Sequence, residues 1–198
     1  VGNESELVIP KISGDYEIYK NAFAGNNTIT KVTLPANING IHSAAFYNCT
    51  SLEEVALPSN ITDVYDNVFN NCVSLKSIVI PEGVTEIEDF AFCNCRNLAS
   101  VIIPNGVVKI GHRAFKDCRM LTSINIPDSV VSIESKAFQN CTSLTNVIIP
   151  KSVSNIGHEA FANCKALEEI VIPEGVKIIG DGAFLGCESL KKIVLPNS

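Results

Sequence analysis

The chain has 198 residues, of which 46% are hydrophobic, so a disordered chain is excluded and one domain or one elongated repeat stack is expected. The formal net charge of −6 argues against nucleic acid or an anionic membrane surface as a partner, because both attract clustered Lys and Arg. No apolar run approaches the roughly 20 residues that a membrane span needs, so direct membrane insertion is not expected.

Proline, phenylalanine and cysteine recur along the chain with one common period. From Pro35 onward the prolines are 23 residues apart, and eight of the nine phenylalanines form a second column with the same step. A cysteine follows the phenylalanine by three residues in seven copies, from Cys49 to Cys187. Such a period indicates a solenoid in which each coil buries its apolar side against its neighbours.

The first copy, residues 1–34, is irregular and is predicted to cap the stack. Pro10 and Pro35 are 25 residues apart, and Asn26 stands where the column cysteine is expected. Terminal repeats are commonly atypical, because one of their sides has no neighbouring repeat. The chain starts at Val1 without Met or a signal segment, so we expect a processed or trimmed piece whose compartment cannot be read from its start.

Residues 35–198 are predicted to form seven regular repeats and a final partial strand. In "LKSIVIP", Ile78 and Ile80 alternate with Val79, which indicates a short strand. Pro81 ends that strand, because it has no N–H for the next ladder bond. "EGVTEIE" is predicted to turn into a second extended piece, and "DFAFCNC" to form one helical turn that buries Phe92.

The last copy ends on "KKIVLPNS", a strand with no coil after it. An open solenoid end exposes strand edges and core side chains. We therefore expect the natural protein to continue past Ser198, or this end to contact another chain.

The repeat pattern C-x-x-L-x-x-I-x-[IL]-P-x-x-V-x-x-I-x-x-x-A-F resembles a leucine-rich repeat, and more narrowly the 23-residue BspA-like or Treponema pallidum-type class. The resemblance extends from Leu7 to Pro196. It implies an α/β repeat solenoid with a parallel sheet on its concave side. It also implies a bacterial or protist surface protein that binds host or microbial macromolecules. The chirality of parallel β-connections predicts a right-handed superhelix.

Strand residues alternate in and out, so the outward positions of successive coils form two columns. The first column, here called the outer stripe, is mostly apolar, and its members are Thr33, Ala56, Val79, Ile102, Asn125, Ile148, Val171 and Val194. The second, here called the polar flank, consists of Lys31, Glu54, Ser77, Ser100, Ser123, Asn146, Glu169 and Lys192. The predicted binding residues are Ala56, Val79, Ile102, Asn125, Ile148 and Val171 with Ser77, Ser100, Ser123 and Asn146.

An exposed apolar stripe favours binding of an extracellular or host protein or glycan at the concave face. Two alternatives stay open for the stripe itself: self-association as a homodimer, and strand propensity, since β-branched residues are favoured in strands whatever they face. A structural role, as a spacer or scaffold of a larger surface protein, is the alternative function. Neighbouring charges at the two ends of the flank are expected to pair across coils.

The cysteines and histidines do not indicate a catalytic or metal-binding site. Seven cysteines share one inward column, so we expect reduced, buried thiols that behave as small apolar groups. Cys93 lies outside that column and is expected to be exposed or half exposed, with Phe90 across it. His112 and His158 share a column but lie two coils apart, too far for one zinc ion. No catalytic residue, metal site or cofactor is predicted.

Overall fold

The computed structural model describes residues 5–11 and 13–196, which form about eight coils of a parallel β-solenoid. Each coil contributes a first strand, and most coils also contribute a second one. The first strands are β1 (Glu6–Val8), β3 (Lys31–Thr33), β5 (Glu54–Ala56), β6 (Ser77–Val79), β8 (Ser100–Ile102), β10 (Ser123–Asn125), β12 (Asn146–Ile148), β14 (Glu169–Val171) and β16 (Lys192–Val194). The second strands are β2 (Tyr16–Ile18), β4 (Ile38–Ile41), β7 (Glu86–Ile87), β9 (Lys109–Ile110), β11 (Ser132–Ile133), β13 (Asn155–Ile156) and β15 (Ile178–Ile179).

All strand pairs are parallel, and most join residues 23 positions apart, as Val79 and Ile102 show. The first coil departs from this register, because the β2–β4 pair shifts between Tyr16 and Glu17. The third coil has a single bridge, Val64 to Ile87, in place of a second strand. The division of the chain at residue 34 and the handedness of the superhelix stay predictions.

The first strands do not form one continuous sheet. Their hydrogen-bonded ladder is divided into β1–β3–β5, β6–β8, β10–β12 and β14–β16, whereas the second strands β7 to β15 form an unbroken five-stranded ladder. The predicted parallel pairing is present within each part, and the ladder is interrupted at three junctions between consecutive first strands. A three-residue strand makes so few cross-strand bonds that a small displacement between two coils is enough to lose them all.

The predicted helical turn and the α/β label are also wrong, since the described residues contain no helix. The segment around each column phenylalanine is a series of tight turns, with positive φ two residues before and two residues after it, as at Phe90 (58°) and Asn94 (59°). Because of these left-handed residues, successive peptide N–H groups of the segment point alternately towards the next coil and back into their own coil. Every second N–H therefore bonds to the next coil, for example Phe92 N to Ala114 O at 2.8 Å. The N–H groups between them close turns, as Cys95 N does with Phe92 O at 3.2 Å.

The core is a stack of matching side chains. Eight phenylalanine rings, from Phe23 to Phe184, stack with centroid separations between 5.2 and 5.7 Å. Phe92 is fully buried, as predicted, and so are Ala91 beside it and Val84 and Ile87 of the second extended piece. Stacked aromatic rings contribute beyond their buried area, so this column is a main source of cohesion between coils.

Candidate functional site

The outer stripe lies on the surface of the first strands. In each of these strands the middle residue points inward and its two neighbours point outward, as in β8, where Val101 is buried between exposed Ser100 and Ile102. All ten predicted binding residues are exposed. Val79, Ile102 and Ile148 expose 59%, 57% and 67% of their surface, which is unusual for large apolar side chains.

The stripe and its flank follow the strand register. Pairing brings Val79 beside Ile102, Asn125 beside Ile148 and Val171 beside Val194. At the three divisions of the ladder the neighbouring members still belong to consecutive coils, but no ladder hydrogen bonds join their strands. The stripe is therefore built of pairs and not of one uniform row.

Grooves open in the stripe where the ladder is divided. The larger one extends over β12, β14 and β16, has a volume of about 910 Å³ and includes Ile148, Val171 and Val194 in its lining. Glu169 and Lys151 also line this groove. A smaller groove of about 240 Å³ lies between β5 and β6 and contains Ala56, Ser77 and Val79. The size of the larger groove is that of a ligand pocket.

Charged side chains at the two ends of the flank and directly beside it pair across coils, as predicted. Lys192 Nζ lies 2.5 Å from Glu169 Oε1, Lys191 Nζ lies 3.6 Å from Glu168 Oε2, and Lys76 and Glu53 also contact each other. Exposed pairs of this kind contribute little stability. Their effect is to neutralise the ends of the flank, which leaves an uncharged centre of Ser77, Ser100, Ser123 and Asn146.

The column cysteines are free thiols and six of them are buried, as predicted, whereas Cys187 in the last coil is only partly buried; they are also not merely apolar filler. Each one donates to the carbonyl oxygen of a column phenylalanine 26 residues earlier, for example Cys118 Sγ to Phe92 O at 3.3 Å. Burial raises the pKa of the Cys49 thiol to about 11 and that of Cys118 well above its ordinary value. The thiols therefore stay protonated and have little nucleophilic character.

The prediction that Cys93 is exposed is wrong. Its exposed fraction is 5%, and burial raises the pKa of its thiol. Phe90 does not lie across it in a helical turn, because the left-handed φ of Phe90 redirects its side chain. The Phe90 ring instead packs edge-on against His112, with centroids 5.3 Å apart, and beneath the Arg113 guanidinium at 5.4 Å.

The histidines lie on the surface without a catalytic arrangement around them. Asp89 accepts a hydrogen bond from the backbone N–H of His112 at 2.8 Å, and His158 Nε2 lies 2.9 Å from Glu159 Oε1. Among the residues that the structure describes, no group of three or more His, Cys, Asp and Glu side chains is placed to hold a metal ion. Within the same residues, no helix has the length and apolar character to cross a bilayer.

Sequence analysis missed an aromatic row on another side of the coils, whose first member, Tyr19, is exposed and whose other two members are partly buried. Tyr19, His42 and Tyr65 directly follow the second extended segment of the first three coils, and their rings stack at 5.5 and 5.3 Å. The signal was available, because all three residues stand four positions before the column phenylalanine. Glu17 contacts His42 through its Oε2, at 3.0 Å from Nε2.

Comparison with known proteins shows which repeat proteins this chain is similar to. A family model described as a BspA type leucine rich repeat region, with six copies, matches residues 16–141 and 108–198. The comparison with curated proteins gave no match.

Three solved structures illustrate the similarity. The leucine-rich repeat protein of Treponema pallidum is 33% identical over 83% of this chain and 69% of its own, with a TM-score of 0.65. A leucine-rich repeat protein of Bacteroides ovatus is 25% identical over 96% of this chain, with a TM-score of 0.69. One from Eubacterium ventriosum is 26% identical over 81% of this chain, with a TM-score of 0.73. This chain spans 63% of the Bacteroides protein and 43% of the Eubacterium protein.

Proposed function

This chain belongs to the BspA-type leucine-rich repeat family, and on that premise we propose that it is a non-catalytic recognition module that binds a macromolecular partner through its outer stripe. The observation that carries the proposal is the exposure of Val79, Ile102 and Ile148 on consecutive strand pairs. Exposed apolar surface on a sheet face costs solubility unless a partner covers it. An interface with an apolar centre and a polar rim has the composition of this face.

The partner we propose is an extracellular or host protein or glycan, met at the surface of a bacterial cell. Family membership supports this location, and the uncharged centre of the polar flank supports a partner that is not strongly charged. The larger groove is the point where an apolar side chain of the partner would be most completely enclosed, because Ile148, Val171 and Val194 line it together.

The test is an Ile102→Asp, Ile148→Asp double variant, compared with a Val108→Asp, Val131→Asp control. The control adds the same charges at exposed valines outside the stripe. Both variants are probed with immobilised extracellular-matrix proteins, mucins and a glycan array. Circular dichroism checks that each variant is folded, and light scattering gives its mass.

We expect the stripe variant to lose at least about 1.4 kcal/mol of binding free energy, a tenfold change in affinity, while the control binds as the wild type does. Equal binding by both variants would remove the stripe as the binding face.

A second candidate is a self-associating scaffold, which the large apolar groove at β12, β14 and β16 favours. A homodimer through this face would place the same groove on both copies. In that case the wild type has twice the mass of a monomer, and the stripe variant, but not the control, reverts to the monomer.

A further inference from the structure

The aromatic row on the first three coils is separate from the outer stripe, because it follows the second extended segments and not the first strands. Tyr19, His42 and Tyr65 stack with interplanar angles of 8° and 19°, so the middle ring is covered on both faces. Tyr19 ends the row among the described coils and exposes 70% of its surface. A large aromatic side chain with this exposure gains nothing from the core.

Next to Tyr19 lies a groove of about 330 Å³, lined by Asp15, Tyr16, Glu17, Tyr19 and Asn39. The groove therefore combines an aromatic platform with two carboxylates and one amide. The Tyr16 hydroxyl donates to Pro10 O at 2.8 Å, so this wall is held by a hydrogen bond to its own coil. Such a mixture of one apolar surface and a few polar groups is typical of sites that fix the orientation of a small ligand.

We propose that this groove binds a neutral oligosaccharide, with one sugar ring packed on the Tyr19 ring. A pyranose has an apolar face of C–H groups and a rim of hydroxyls. The Tyr19 ring can cover the apolar face, while Asp15 and Glu17 accept from the hydroxyls and the Asn39 amide both donates and accepts. A buried hydroxyl without a partner is costly, so the polar rim gives the site its selectivity for polyols over plain apolar ligands.

The platform is held in place before a ligand binds. The Tyr19 ring is supported from behind by His42, whose Nε2 contacts Glu17 at 3.0 Å. Gly40 lies over this pair, and a Cβ there would come 3.5 Å from both Glu17 Cγ and His42 Nε2. The absence of a side chain at Gly40 therefore keeps the pair accessible. A supported platform loses little conformational freedom on binding.

The experiment measures binding of uncharged oligosaccharides, namely cellopentaose, chitopentaose and mannopentaose, by isothermal titration calorimetry. Tyrosine fluorescence gives a second readout, since the chain has four tyrosines and no tryptophan. The test variant is Tyr19→Ala, and the matched control is Tyr47→Ala, which removes another exposed tyrosine outside the row. The stripe variant Ile102→Asp, Ile148→Asp is titrated as well.

We expect at least one of these sugars to bind the wild type, with an affinity that falls about tenfold or more in Tyr19→Ala and is unchanged in Tyr47→Ala and in the stripe variant. Three results would overturn the proposal: no binding of any of the sugars at millimolar concentration, an equal loss in Tyr47→Ala, or loss only in the stripe variant. Binding of hexa-arginine but of no sugar would likewise overturn it, and would assign the groove to cationic ligands.

Discussion

The cysteine column shows how a single residue type satisfies two demands at one position. The position three residues after the column phenylalanine is fully buried from Cys49 to Cys164, so it favours a small apolar side chain. The carbonyl oxygen of Phe92 already accepts from Cys95 N and has a second lone pair, which the Cys118 thiol fills. Alanine fits this space but cannot donate, and this explains a cysteine in every regular coil.

The buried thiols predict an alkaline limit to stability. Burial raises the pKa values of Cys118 and Cys141 above the ordinary 9.0, so unfolded thiols lose their protons first as the pH rises. The native chain then binds more protons than the unfolded chain. The free energy of unfolding should be steady from pH 7 to 8 and fall once the pH passes about 9, with each ionised thiol contributing about 1.4 kcal/mol per pH unit.

Urea denaturation in a reducing agent, at steps from pH 7 to 10.5, measures this effect. A Cys118→Ala, Cys141→Ala variant starts at a lower stability, because it loses buried atoms and two hydrogen bonds. Its stability should nevertheless fall less steeply with pH than that of the wild type. Parallel curves would mean that the native thiols ionise as readily as the unfolded ones.

The turn segment is the element that links consecutive coils most regularly. Its N–H groups alternate between bonds within the coil and bonds to the next one, which requires a left-handed residue on each side of the column phenylalanine. Residues after the phenylalanine are Asn, Asp or Gly, which accept this conformation. Residues before the phenylalanine include Ala44, Lys136 and Glu159, for which the left-handed conformation is strained.

This difference gives a reciprocal prediction at two equivalent positions. Ala44 has a φ of 57° and Gly182 a φ of 63°, and a Cβ at Gly182 would make only ordinary contacts. Ala44→Gly should therefore raise the free energy of unfolding, and Gly182→Ala should lower it, each by about 1 kcal/mol.

Thermal and urea denaturation of the two variants measure the change. Ala99→Gly is the control, because Ala99 is exposed and has no positive φ, so it should lose stability. A loss in Ala44→Gly as well would mean that strain at this position is not relieved by glycine.

At the element scale the strands and the core could be predicted from the sequence, whereas the half of each turn that precedes the column phenylalanine could not. Alternation around Val79 identifies the strand and its exposed face without any knowledge of neighbours, because the period of a strand is local. The conformation of Phe90 or Lys136 is not a local preference. It is imposed by hydrogen bonds to the next coil, and nothing in these residue types indicates it.

The candidate site shows the same limit. All ten predicted binding residues are exposed, since alternation alone decides which side chains point outward. The grooves lie where no ladder bonds join β5 to β6 and β12 to β14, a break that no single repeat encodes. The aromatic row combines tyrosine and histidine at one repeat position. A search for columns of a single residue type therefore misses it.

At the scale of the whole molecule each coil is stabilised mainly by its two neighbours. Phe115 is stacked between Phe92 and Phe138 and is fully buried, whereas Phe23 stacks on one side only and is partly buried. The cost of losing a ring should therefore depend on its place in the stack.

Phe115→Ala is expected to lower the free energy of unfolding by about 3–5 kcal/mol, and Phe23→Ala by clearly less. Urea denaturation followed by circular dichroism compares the two. Because the variants make the same chemical change, equal losses would show that the coils do not depend on neighbours on both sides.

The 23-residue register also bears on how such a chain is altered by recombination. Pairs such as Val79 with Ile102 and Phe92 with Phe115 join equivalent positions of adjacent coils. A gene segment that encodes one complete repeat can be gained or lost, and the coils on either side still meet in register. Gain of a segment that encodes only part of a repeat would instead place a strand of one coil against a turn of the next. Inheritance in whole units thus lengthens or shortens the outer stripe by one row at a time.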